Sequence, residues 1–82
     1  MSNLYTGTVD TNDSYESLAT ISGVTFTSGS KYVIQIANPA YLREGDTGKG
    51  FSVNTDFPIQ YTAGDDTLYI RTPRPCYVNI AN

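Results

Sequence analysis

The groups in this chain that could do chemistry are eight carboxylates (Asp10, Asp13, Glu16, Glu44, Asp46, Asp56, Asp65, Asp66), one thiol (Cys76), five cations (Lys31, Arg43, Lys49, Arg71, Arg74) and seven tyrosines; histidine is absent. Nucleophilic catalysis of the Ser–His or Cys–His kind needs an imidazole or equivalent base beside the nucleophile, and that class has no base here. Cys76 alternates with Val78 and Ile80 in "CYVNI", the setting of a buried, inert thiol. Glycoside hydrolysis asks for two carboxyl groups about 5 to 10 Å apart in a cleft, one with a raised pKa. All the acids here fall in polar or turn-like surroundings, which keep a carboxylate ionised and solvated. The expectation is a protein that is not an enzyme and takes no cofactor.

Metal and phosphate chemistry fare no better. Zinc and copper sites lose their commonest ligand without histidine. The oxygen-rich "DTNDS" (Asp10 to Ser14) and the pair Asp65-Asp66 suit a hard cation by type, but the first lacks the central Gly and distant Glu of a calcium loop and the second is an ordinary turn pair after Gly64. No metal site within one chain is expected. "EGDTGKG" superficially resembles a phosphate loop, yet its glycine spacing is wrong and no Ser or Thr follows Lys49.

The tyrosines are more informative. Tyr5, Tyr15, Tyr32, Tyr41, Tyr61, Tyr69 and Tyr77 stand in a chain without tryptophan, and alternation puts Tyr69 and Tyr77 on outward strand faces. Amphipathic rings of this kind serve as half-buried sheet residues, as protein contacts or as stacking platforms for sugars. The candidate interface residues are therefore Tyr5, Tyr15, Tyr69, Arg71, Arg74 and Tyr77, and for a sugar Tyr69, Arg71 and Arg74 come first.

The elements that must position these groups are strands. Val, Ile, Thr, Tyr and Phe recur in short runs between Gly, Pro, Asn and Asp, and good helix formers are scattered. "LATI" and "VTF" read as two short strands about the turn Ser22-Gly23, and "TSGS" as a hairpin turn needing positive φ at Gly29. "KYVIQIA" places Tyr32, Ile34 and Ile36 on one face and Val33, Gln35 and Ala37 on the other; its length and apolar content predict a central strand covered on both sides. Asn38-Pro39 stops it. Glu44 to Gly50 is expected as the most exposed loop, "FSVN" puts Phe51 and Val53 on one face, Phe57-Pro58 marks an edge or bend, and "IQYT" runs into the turn "AGDD". In "TLYIR" and "CYVNI", Leu68, Ile70, Cys76, Val78 and Ile80 face inward, and the rigid "TPRP" between them reads as the connection of a closing hairpin. The fold expected is all-β: a small antiparallel β-sandwich or jelly-roll-like barrel of seven to eight short strands. Residues 18–82 form that domain, and the Ser/Thr/Asn/Asp-rich residues 1–17 form a polar N-terminal arm suited to pairing with a neighbouring subunit.

With 82 residues the chain supports one domain of modest stability, and a lone cysteine removes an internal disulfide as reinforcement. Oligomerisation is what is left to strengthen it. A net charge of −3 suits a phosphate backbone poorly, so no nucleic acid is expected. No segment reaches the roughly 20 apolar residues of a membrane span, and the start lacks the charged and apolar regions of a signal peptide, so no membrane partner is expected and the protein is read as made in a cytoplasm.

The order of signals "LATISGVTFTSGSKYVIQIANP", a variable loop, then "FPIQYTAGDDTLYIRTPRPCYVNI" resembles the layout of small accessory virion proteins of tailed bacteriophages. The shared elements are a glycine turn before a "YVIQ" strand, a Gly/Asp turn before a "LYIR" strand and a last strand near the C-terminus. The resemblance implies a β-sandwich or jelly roll with a structural or adhesive role on a capsid, tail or fibre. It implies a homo-oligomer, with a trimer as the expected form, bound to another virion protein, located in the virion and synthesised in the bacterial host. The rival expectation is a carbohydrate- or receptor-binding β-module, with a glycan as partner.

Overall fold

The computed structural model describes residues 2–45 and 58–82 and the backbone of residues 51–53. In chain order the elements are β1 (Asn3–Val9), β2 (Glu16–Ser17), α1 (Leu18–Ser22), β3 (Lys31–Ala37), β4 (Ala40–Glu44), β5 (Phe51–Val53), β6 (Ile59–Thr62), β7 (Leu68–Arg71) and β8 (Cys76–Ala81). The strands form two four-stranded sheets, sheet A in the order β1-β8-β3-β6 and sheet B in the order β2-β7-β4-β5, with every pairing antiparallel. The partners nest: β1 with β8, β2 with β7, β3 with β6, β4 with β5. The chain is one long double ribbon, rolled until β8 also meets β3 and β7 also meets β4. That is the strand order of an eight-stranded jelly roll. The all-β sandwich expected from the alternation is the fold observed.

Alternation decides which side of each ribbon is buried. Ile34, Ile36, Val78 and Ile80 from sheet A meet Leu42 and Ile70 from sheet B, each 1% exposed or less. Each such side chain contributes about 1.5 to 3 kcal/mol relative to leaving it in water. β3 is central as expected, flanked by β8 and β6, but it is covered on one face only: Tyr32, Ile34 and Ile36 are buried whereas Lys31, Gln35 and Ala37 are exposed. Among the described residues two sheets make the two layers, and no third layer covers the outer face of β3. The expected loop beyond Gly45, Phe57 at the Phe57-Pro58 bend and the shared face of Phe51 and Val53 fall outside the described residues or side chains.

Three further expectations are corrected. Residues 1–17 are not an arm outside the domain: β1 is an edge strand of sheet A, and Val9 and Thr11 are 1% exposed. The polar outward residues of this edge strand, Thr6 and Thr8, hide its pattern. Gly7 sits in β1 because Tyr5 lies across it; a Cβ there would come within 2.7 Å of the Tyr5 hydroxyl. "LATI" is not a strand but the one-and-a-half-turn helix α1. Ser17 caps it by accepting a bond from the Thr20 N–H at 3.3 Å, and Gly23, at φ 76°, ends it with its N–H on the Ala19 carbonyl at 2.8 Å. "VTF" is not a strand either, because the Tyr32 hydroxyl takes its place in the ladder, accepting from the Thr27 N–H at 2.7 Å and donating to the Thr25 carbonyl at 3.2 Å. Phe26 then stands edge-on to Tyr32 and Tyr61, with ring centroids 4.9 and 5.9 Å away.

The third correction concerns "TPRP". β7 and β8 do not pair with each other; one lies in sheet B and the other in sheet A, so Thr72 to Pro75 carries the chain between layers. Prolines suit this crossover because it needs no ladder donors. A second crossover, Asn38-Pro39, runs beside it in the opposite sense, and the Asn38 amide donates to the Pro75 carbonyl at 3.1 Å. The Cys76 thiol lies beneath both, 3.2 Å from the Arg74 carbonyl and 3.7 Å from those of Asn38 and Pro39. At the same end Thr11 and Thr72 clasp the segment leaving β1 to the segment leaving β7. Each backbone N–H donates to the other's hydroxyl oxygen, at 2.7 and 2.8 Å, and both residues are buried. Two buried donors that no strand ladder could serve are thereby satisfied.

Candidate functional site

The outer face of sheet B is built by two short sequences of the same form, Tyr41-Leu42-Arg43 on β4 and Tyr69-Ile70-Arg71 on β7. Period two turns Leu42 and Ile70 inward and leaves both Tyr/Arg pairs outside. Because the strands run antiparallel in register, Tyr41 lies opposite Arg71 and Arg43 opposite Tyr69. Tyr15, entering β2, adds a third ring. The Arg43 guanidinium lies 4.1 Å from the Tyr15 centroid and 5.5 Å from that of Tyr69; the Arg71 guanidinium lies 4.1 Å from Tyr41 and 5.5 Å from Tyr15. The series Tyr69, Arg43, Tyr15, Arg71, Tyr41 alternates ring and cation across three strands' width.

The loop before β2 pins one end of this series. Asn12 and Asp13 both have positive φ, 53° and 62°, in a turn closed by the Ser14 N–H on the Thr11 carbonyl at 3.2 Å. The Asp10 carboxylate accepts from the Asn12 N–H at 2.9 Å, and the Asp13 N–H donates to the Thr72 carbonyl at 3.0 Å. Asp13 is thus placed to accept from Arg71 at 2.7 Å. The Tyr15 hydroxyl first, then Asp13, raise the pKa of Arg71 above its ordinary value, against an opposing effect of desolvation. The Asp10, Thr11 and Asp13 side chains of "DTNDS" are therefore engaged within the chain, and no group of three metal-ligating side chains exists among the described residues. Burial, and next the charge of Asp10, push the Cys76 thiol up, so the thiolate is disfavoured. Among the described residues no buried side-chain nitrogen or oxygen lacks a partner, and no helix is long and apolar enough to cross a membrane.

Of the six candidate interface residues the structure brings together three, Tyr15, Tyr69 and Arg71, and adds Arg43 and Tyr41 to them. Arg74 is exposed on the Pro-rich crossover, beside a hollow of about 160 Å³ formed with Asn38, Pro39 and Pro73. Tyr5 packs half-buried against the core from β1. Tyr77 belongs to the opposite side of the molecule, on the outer face of sheet A, where it is 54% exposed.

Comparison with protein-family models, curated proteins and solved structures finds no match. The reading of this chain therefore rests on its own residues. Arg43 and Tyr41 were missed in the sequence, yet their signal was present: two Tyr-x-Arg triplets in adjacent antiparallel strands pair tyrosine with arginine twice over.

Proposed function

We propose that this protein is a non-enzymatic structural protein of a bacteriophage particle, a capsid decoration or a head or tail accessory, which assembles through the Tyr/Arg face of sheet B. The observation that carries the assembly surface is the alternating series of Tyr15, Tyr41 and Tyr69 with Arg43 and Arg71, already ordered on the outside of the free chain. Tyrosine and arginine are the side chains that dominate binding energy at protein contacts, and side chains held in place beforehand lose less freedom on binding. The virion assignment comes from the resemblance of the two sequence stretches around the variable loop, and jelly rolls are common among capsid domains; that support is by analogy. A small domain with no disulfide gains stability from a symmetric oligomer, and a trimer bound to a repeating lattice adds avidity.

Size-exclusion chromatography with light scattering tests the reading. A trimer or other closed oligomer that Tyr69→Ala with Arg43→Ala reduces to monomer, in a protein that co-sediments with phage particles, is the expected result. A strict monomer at high concentration that associates with no virion component overturns it.

A further inference from the structure

The outer face of sheet A is chemically unlike the rest of the surface. Register places Thr8, Tyr77 and Ala37 in one row across β1, β8 and β3, and Thr6, Asn79 and Gln35 in the next. None of these six residues is charged, although the chain carries 13 charged side chains; Lys31 stands two rows away at the far end of β3. Ala37 presents only a methyl group beside Tyr77, and a hollow of about 280 Å³ opens there, lined by Thr6, Gln35, Ala37, Tyr77 and Asn79. The Thr6 hydroxyl reaches two amide oxygens, those of Asn79 at 2.9 Å and Asn3 at 3.2 Å, and the shorter contact is a bond to Asn79. That bond fixes the amide and leaves its N–H pair to donate elsewhere.

From this geometry we infer that the outer face of sheet A binds a neutral saccharide, with the Tyr77 ring as the stacking platform and the Asn79 and Gln35 amides as partners for sugar hydroxyls. A sugar ring offers an apolar C–H face to an aromatic ring and a rim of hydroxyls that both donate and accept. Asn79 lies two strand residues from Tyr77, about 7 Å along β8, and Gln35 lies across on the neighbouring strand, about 5 Å further. The face thus supplies a ring contact and two amides spread over about the span of two linked pyranose rings. The absence of charge selects against phosphate, sulfate and carboxylate ligands, whose desolvation nothing here would offset. The tyrosines of sheet B are unsuited to this role because Arg43 already lies against Tyr15 and Tyr69. The sugar reading therefore moves from Tyr69, Arg71 and Arg74 to Tyr77.

The test is a two-dimensional amide NMR titration of the full chain with glucose, galactose, mannose, N-acetylglucosamine and their β-linked disaccharides. Expected are saturable shifts for at least one of these sugars at Tyr77 and at the side-chain amides of Gln35 and Asn79. Tyr77→Ala, at an exposed position that folding does not depend on, should keep a dispersed spectrum and weaken binding by about three- to tenfold, the loss of one stacking contact. Glucuronic acid should bind no more tightly than glucose. Three results would overturn the inference: no shift at these residues with any of the sugars, unchanged affinity in Tyr77→Ala, or a change of mass in solution on Tyr77→Ala, which would make the face a contact between copies.

Discussion

On sheet B the outward side chains are occupied with one another. Tyr69, Arg43, Tyr15, Arg71 and Tyr41 follow in series, and Asp13 holds the far arginine. On sheet A the outward side chains across β1, β8 and the end of β3, Thr6, Thr8, Gln35, Ala37, Tyr77 and Asn79, are uncharged, and the largest of them, Tyr77, is 54% exposed. The same period-two pattern builds both faces, and the difference comes from what stands opposite in the neighbouring strand. Where Tyr meets Arg the face carries part of the stability of the fold. Where Tyr77 meets Thr8 and Ala37, the ring is left for something else to cover.

The largest expected effect breaks the joint that holds the two layers back to back. Thr72→Val leaves the buried Thr11 N–H without its acceptor and should cost about 2 to 3 kcal/mol, read as a drop in the urea midpoint, whereas Thr72→Ser should keep most of the stability. Next, Tyr15→Ala removes the ring between Arg43 and Arg71 and should cost about 1 to 2 kcal/mol, against less than about 0.5 kcal/mol for Tyr77→Ala. Equal losses would mean that the two faces do not differ in this way.

A smaller effect belongs to alkaline pH. Burial raises the pKa of Cys76 above its ordinary 9.0, and burial, then the charge of Glu44, raises that of Tyr61 above its ordinary 10.0. The folded chain keeps protons that the unfolded chain has already lost, so stability is full below pH 9 and falls as pH rises beyond it. Thermal melts from pH 8 to 11 should show that fall, and Cys76→Ala should reduce it. The smallest effect is expected from Asp13→Asn. Asparagine tolerates the positive φ, so the variant removes the charge alone, and an ion pair whose partners are 30% and 58% exposed should be worth under about 1 kcal/mol, less in high salt.

Much of the fold could be read from local alternation, and what could not be read was non-local. "TLYIR" and "CYVNI" each gave their buried face, and "KYVIQIA" gave its two faces though not that one of them is open, since a strand's two sides are written in successive residues but what covers them is not. Which sheet a strand joins is not written there, and so β7 and β8 read as a hairpin when they lie in different layers. β1 escaped notice because an edge strand shows water its outward residues, and α1 because Thr20 and Ile21 favour strands while the decisive signals, Ser17 and Gly23, flank it. The candidate site was half legible for the same reason. Tyr15, Tyr69 and Arg71 were individually conspicuous, but Arg43 and Tyr41 become their neighbours only through the register of β4 with β7.

The nesting of the strands also sets the order in which the molecule can be completed. β8 lies between β1 and β3, so neither has that neighbour until Cys76 to Ala81 has been made. Within this domain the first strand in chain order is paired with the last. An N-terminal fragment ending before Cys76 lacks the strand between β1 and β3, so sheet A is completed only through contacts distant in sequence, which slow folding.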